Sequence, residues 1–211
     1  MNILFDRTIN RRQLFGRIGK GIAAIPAVYF VAAFARPFVP GSEWVPSDLV
    51  LPESTKGHPW EISLTQAGEP GEAMVVSGRV YGADGRTPRA GVRVFAYHTD
   101  NRGFYAPDGN VMPPRLHGTV WTNAAGRYQF RSIRPAPYPG RAIPAHVHIF
   151  LFLLNGRRVN PDELQFEGDP FLKPEDISRN AGKETFSMIR PLVRANDGVL
   201  HCVRDFRLPG E

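Results

Sequence analysis

Two histidines lie two residues apart in Pro144-Ala145-His146-Val147-His148-Ile149-Phe150. Their alternation with Val147, Ile149, Leu151 and Leu153 reads as a buried β-strand. Residues i and i+2 of a strand point to one face, roughly 6.5–7 Å apart. His146 and His148 therefore project together, and two imidazoles aimed into an apolar wall are costly unless something binds them. A metal ion is the simplest occupant, since neutral imidazole ligates zinc, copper, iron and nickel. A His-x-His pair alone is weak, because most such pairs are surface strand residues or satisfied core histidines. Two tyrosines in constrained loops strengthen it: Tyr105, at the end of Asp100-Asn101-Arg102-Gly103-Phe104-Tyr105, and Tyr138, in Ile133-Arg134-Pro135-Ala136-Pro137-Tyr138-Pro139. Taken singly each reads as a loop or core aromatic. Together the four supply anionic oxygen and borderline nitrogen, a mixture that suits Fe(III) better than zinc or Fe(II). A free phenol titrates near pH ~10, so phenolate ligation at neutral pH needs a strongly Lewis-acidic ion to displace the proton.

Elements that position such a set must be short and numerous. Alternating apolar runs occur at 74–81, 92–98, 119–122, 127–133, 145–154, 185–189 and 199–208. Val92, Val94, Ala96 and His98 share one face of the second run. Asn123-Ala124-Ala125-Gly126 between the third and fourth reads as a hairpin turn. Ala83-Asp84-Gly85, Pro107-Asp108-Gly109 and Asn196-Asp197-Gly198 are further turn sequences. Only residues 174–180 suggest a helical turn. With 21 glycines and 20 prolines, the pattern predicts an all-β fold, a β-sandwich of short antiparallel strands with long functional loops.

The 211-residue chain has room for one domain and an extra segment. Residues 1–35 run from a basic front with paired Arg11 and Arg12, through an apolar centre, to Ala33-Phe34-Ala35. This pattern is expected to be an export signal of the twin-arginine type, with the mature protein periplasmic or extracellular. The apolar centre is short for a membrane span, so membrane contact is expected only during export or through an uncleaved signal. Residues 36–71 read as an irregular arm and 72–211 as the domain proper. Of the 26 basic and 20 acidic residues, five and one lie in the first 35. The rest carries a net charge of only +2, with no basic block, which argues against nucleic-acid binding. The single cysteine, Cys202, falls in an apolar pattern and reads as an inert buried thiol.

The stretch 76–154 resembles the intradiol ring-cleavage dioxygenases, the family of protocatechuate 3,4-dioxygenase and catechol 1,2-dioxygenase. The landmarks are Ser77-Gly78-Arg79-Val80, Pro88-Arg89-Ala90-Gly91-Val92, Gly103-Phe104-Tyr105, Thr122-Asn123-Ala124-Ala125-Gly126-Arg127-Tyr128, Arg134-Pro135-Ala136-Pro137-Tyr138-Pro139 and Pro144-Ala145-His146-Val147-His148, and Leu164-Gln165-Phe166-Glu167-Gly168-Asp169-Pro170 resembles a family segment further on. The resemblance implies a non-haem Fe(III) held by Tyr105, Tyr138, His146 and His148, with Tyr138 and His146 axial. It implies a catecholic substrate and O2 as partners, Tyr138 as acceptor of a catechol proton, and ring opening between the two hydroxyl-bearing carbons to a muconate-type diacid. Subunit pairing is common in the family, so a homo-oligomer is also implied.

Three departures from the family pattern modify these expectations. Ile143 stands where the family often places an arginine before the Pro-Ala-His segment, and Arg141, two residues earlier, is the candidate to replace it. The interval from Tyr138 to His146 is short. Glu163 stands where many members carry glutamine, and as a pocket carboxylate it would repel an anionic ring substituent. An unusual or neutral catechol, or a weak or altered activity, is therefore expected. Two alternatives remain open: a β-sandwich binding module that keeps the fold without the reaction, and copper or zinc at the same four groups.

Overall fold

The structure, a computed structural model, describes residues 57–108 and 113–210. The export-signal reading and most of the arm lie outside the described residues. Among the described residues twelve strands run in chain order: β1 (Glu61–Ser63), β2 (Ala73–Tyr81), β3 (Arg93–His98), β4 (Leu116–Trp121), β5 (Arg127–Ile133), β6 (His146–Phe152), β7 (Arg158–Val159), β8 (Leu164–Phe166), β9 (Ile189–Arg190), β10 (Val193–Arg194), β11 (Leu200–Val203) and β12 (Phe206–Arg207). One helix, α1 (Pro174–Asn180), follows β8, with proline in its first turn where the missing N–H costs nothing.

The strands form two sheets, ordered β1-β5-β2-β11-β10 and β4-β3-β6-β8-β9, with β12 joined to β2 and β7 to β6. Between them lies one core that includes Val76, Val80, Tyr128 and Phe130 from the first sheet and Val94, Ala96, Val147, Ile149, Leu151 and Leu164 from the second. The all-β sandwich read from the sequence is the observed architecture. Its central ladders are antiparallel, β2 with β5 and β3 with both β4 and β6. Four pairings are parallel: β1–β5, β11–β2, β12–β2 and β8–β9. β1 lies within the stretch read as arm.

Three local readings are corrected. The turn at Asn123-Ala124-Ala125-Gly126 forms, closed by Gly126 N–H donating to Asn123 O at 2.8 Å, but it does not make a hairpin. β4 pairs with β3 and β5 with β2, so the turn carries the chain from one sheet to the other. The run at 185–189 is mostly not strand: Glu184–Phe186 is a 3-10 turn and only Ile189 onward pairs. The run at 199–208 breaks at Arg204 and Asp205, where two short strands replace one. Met188, Ile189, Leu200, Cys202, Phe206 and Leu208 are buried as the alternation implies, whereas Val203 is exposed; partner strands, which local alternation does not encode, set the backbone.

Strand β6 decides where the chemistry goes. Val147, Ile149 and Leu151 enter the inter-sheet core, each 2% exposed or less, and each such burial stabilises by about 1.5–3 kcal/mol. A one-residue slip would put His146 and His148 into that core and expose the aliphatics, so the register is strongly held. The histidines consequently share the opposite face with Phe150 and Phe152. That outer face is covered by Phe95, Tyr97, Tyr105 and Tyr138, a second, smaller aromatic cluster. Cys202 is buried, and burial pushes its thiol up to about 12, which fits an inert role.

Candidate metal centre

The two tyrosine loops reach the histidine face because they are tied to each other. Asp100 O accepts from Gly103 N–H at 3.1 Å within its own loop and from Ala136 N–H at 3.1 Å across to the other loop. The Asp100 carboxylate accepts from the backbone N–H groups of Arg102 at 2.9 Å and Phe104 at 3.0 Å. Burial works to raise its carboxyl, but these bonds and the Arg102 guanidinium hold it below the usual range. Thr99 Oγ1 donates to Ala136 O at 2.7 Å, a second tie between the loops. Gly103, at φ +89°, lies so close to the second loop that an added Cβ would sit 2.1 Å from Pro137 O. Only glycine fits there, and the contact seats Tyr105 beside Tyr138.

The start of β6 is anchored by Asp169, whose carboxylate accepts from Ala145 N–H at 3.0 Å and Phe171 N–H at 2.9 Å. His146 Nδ1 lies 2.7 Å from Pro144 O. A carbonyl only accepts, so Nδ1 carries the proton and Nε2 presents its lone pair. His148 Nδ1 lies 2.9 Å from Glu163 Oε1, which imposes the same tautomer. Tyr97, across the ladder from His148, stacks on its ring at 4.4 Å and 19°.

Both Nε2 atoms and both phenol oxygens then converge. Tyr105 Oη is 2.9 Å from His148 Nε2 and in direct hydrogen-bond contact with Tyr138 Oη. Tyr138 Oη is 3.0 Å from His146 Nε2 and 3.4 Å from His148 Nε2. The two Nε2 atoms are 3.2 Å apart. An ion with bonds of about 2.0–2.1 Å places neighbouring ligand atoms about 2.8–3.5 Å apart. The four-donor set read from sequence is thus gathered around one point, on residues buried or nearly so.

The electrostatics match a strongly Lewis-acidic occupant. Burial pushes the Tyr138 phenol up to about 12, and raises Tyr105 further, with the neighbouring Tyr138 adding to it. Burial also lowers His146, keeping it neutral and able to ligate. Phenols held this far above neutrality lose their protons only to a cation of high charge density, so the donor set fits Fe(III). His146, His148 and Glu163 also form the His and carboxylate cluster of metal-binding spacing among the described residues, their donor atoms within 4.8 Å of one another.

Other candidates fall around this centre. Arg141 is exposed on the turn after Tyr138, its N–H donating to Tyr138 O at 3.1 Å, and Ile143 is half-buried beside Pro144. Glu163 contacts the histidines themselves. Three residues escaped the sequence reading. Tyr97 was hidden as an ordinary strand aromatic, and Asp169 within a family-like segment. Gln165 sits across the ladder from His146, 7% exposed, with its Oε1 lacking a hydrogen-bond partner among the described residues. Only the β6–β8 register reveals it. His98, though buried, stands apart: its nitrogens meet Thr99 O at 2.6 Å and Ser132 Oγ at 2.7 Å, and burial takes it down to about 4.

Comparison with known proteins returns dioxygenases, among them solved structures of the same fold. The family model described as Dioxygenase (Dioxygenase_C) matches residues 53–210, and the chain belongs to that family. Catechol 1,2-dioxygenase 1 of Acinetobacter lwoffii is 34% identical over 118 residues, covering 47% of this chain and 37% of its own length. The protocatechuate 3,4-dioxygenase beta chain of Burkholderia cepacia is 34% identical over 133 residues, covering 57% and 56%. The chain spans about half or less of the length of the curated relatives it matches. Among solved structures, catechol 1,2-dioxygenase from Pseudomonas arvilla C-1 superposes with a TM-score of 0.57 at 26% identity, covering 75% of this chain and 60% of that one. The dioxygenase domain of a carbohydrate-binding fusion from Streptomyces sp. SirexAA-E shares the fold at a TM-score of 0.54 and 23% identity, covering 76% and 99%.

Proposed function

We propose that this protein is a non-haem Fe(III) dioxygenase that opens a catechol-type ring between its two hydroxyl-bearing carbons with O2, giving a muconate-type diacid. The observation that carries the reading is the convergence of Tyr105, Tyr138, His146 and His148 on one point with both imidazole Nε2 lone pairs turned inward. Catechol 1,2-dioxygenases and a protocatechuate 3,4-dioxygenase chain among the relatives support the substrate class. Bound iron would supply Lewis-acid charge stabilisation and a template for the two catechol oxygens.

The chain's own residues have distinct tasks. Tyr105 and His148, both against Tyr97, form the packed side of the centre. Tyr138 takes a proton from the incoming catechol. Its phenol is pushed up to about 12 by burial, so a proton accepted at its oxygen is held more firmly than on an ordinary phenol. Arg141 supplies positive charge to the substrate from the adjacent turn. The aromatic cluster on the outer face of β3 and β6 keeps water from the inner side of the centre.

The reading is tested on full-length protein isolated with its native metal. Elemental analysis is expected to return close to one iron per chain, the protein to be burgundy-red from phenolate-to-iron charge transfer, and a catechol to drive oxygen uptake. Colourless iron-loaded protein, or zinc or copper in place of iron, would contradict it. Tyr138→Phe removes the proton acceptor but leaves three donors. Turnover is expected to fall by about 100-fold or more, the usual scale for a positioned acid–base group, while much of the iron is retained. Unchanged turnover in stopped-flow oxygen consumption would remove this role from Tyr138.

A further inference from the structure

Glu163, read from the sequence as a pocket residue, contacts one of the two histidines directly. The antiparallel register pairs His146 with Gln165 and Val147 with Leu164. One step further along the same ladder, Glu163 falls opposite His148 and on the same face, and its Oε1 meets His148 Nδ1 at 2.9 Å. Its other oxygen lies 3.9 Å from His146 Nε2, so the carboxylate sits beside the centre and not behind it. The two ligating imidazoles are therefore held unequally. His146 Nδ1 is held by a neutral carbonyl, Pro144 O, and His148 Nδ1 by an anion. A carboxylate on the far nitrogen fixes ring orientation and makes the ligating nitrogen a stronger donor than a carbonyl does.

We propose that Glu163 is a positioning residue for the metal centre, orienting His148 through Nδ1 and making its Nε2 the more strongly donating of the two histidine nitrogens. The inference rests on the four-donor centre proposed above. It assigns Glu163 a role toward the metal in place of the substrate-repelling role its charge alone would predict. Because the carboxylate is engaged by His148, its charge is spent on the ligand, and an amide at this position would hold the ring without enriching it.

The test uses the full chain, with Fe(III) added in competition with nitrilotriacetate, and compares wild type, Glu163→Ala and Glu163→Gln. Loss of the outer partner is expected to weaken Fe(III) binding by about 10- to 100-fold in Glu163→Ala. Glu163→Gln keeps an oxygen that accepts from Nδ1–H and is expected to recover most of that loss. The weaker donation from His148 in Glu163→Gln leaves the iron a better electron acceptor. Its phenolate-to-iron absorption band is expected to move to longer wavelength, a shift that a merely structural role for Glu163 would not produce. Glu163→Ala with wild-type affinity overturns the assignment, as does Glu163→Gln with an unmoved band. Should Glu163→Ala fail to fold, the band position of Glu163→Gln decides alone. Wild-type protein that takes up no Fe(III) overturns the centre itself, and with it this role, whereas red wild-type protein with indifferent Glu163 variants overturns only the latter.

Discussion

Replacing His146 by alanine is expected to leave a folded, colourless protein with little iron and no measurable ring cleavage. His146 Nε2 lies 3.0 Å from Tyr138 Oη and 3.2 Å from His148 Nε2, so its removal opens one side of the donor set. The remaining histidine and two phenols must then hold a trivalent ion with one neutral donor fewer. Removing only an outer partner of a ligand typically costs about 10- to 100-fold in affinity or activity, so the loss of a ligand should exceed about 100-fold in both. The fold should survive, because the β6 register is held by Val147, Ile149 and Leu151 on the other face. The local cost is the unpaired Pro144 carbonyl, about 1–3 kcal/mol if it stays dry. His201→Ala, at an exposed histidine on β11, is the matched control and should keep both colour and iron. Iron retention and oxygen uptake in His146→Ala equal to that control would remove His146 from the centre.

Gly103→Ala is expected to damage stability and the centre together. An added Cβ would stand 2.1 Å from Pro137 O and 2.9 Å from Pro139 Cδ, and the residue adopts φ +89°, a region alanine rarely occupies. The neighbours cannot give way cheaply, since one is backbone in a proline-stiffened turn. Strain of this kind costs on the order of 1–3 kcal/mol at the residue itself. At about 2–4 °C per kcal/mol for a chain of this size, the melting temperature should fall by roughly 2–12 °C. Because the contact lies between the loops that carry Tyr105 and Tyr138, iron content should drop as well. Differential scanning calorimetry with iron analysis on the same sample checks both. A lowered melting temperature with full iron content would show that the loops tolerate separation and that the shared seat is unnecessary.

The part of the fold that was legible in the sequence is the part governed by local periodicity. Strand alternation located β2, β3, β5 and β6 and the sandwich class, because burial on one face imposes a period of two whatever lies across the gap. Helix α1 was legible as a helical turn at 174–180. Partner choice was not. Asn123 to Gly126 has the composition of a hairpin turn, yet it joins strands of different sheets, since a turn's backbone preference does not fix which ladder its flanks enter. The breaks at Glu184 and Arg204 were likewise invisible. Arg204 is buried with its N–H donating to Ser77 O at 2.9 Å and its carbonyl accepting from Tyr128 Oη at 2.6 Å, contacts made across long stretches of chain.

By itself the sequence determined the chemistry on offer: two imidazoles on one face of a strand, two phenols on stiffened loops, and no second thiol. Strand geometry is local, so the same-face placement of His146 and His148 needed no partner to be inferred. Only the tertiary structure decided that the loops lock through Gly103 and Asp100, and that Tyr97 backs His148. It also decided that Glu163 turns its carboxylate to a ligand's far nitrogen. These facts depend on cross-strand register and loop-to-loop contact, set by the packing of elements many residues apart.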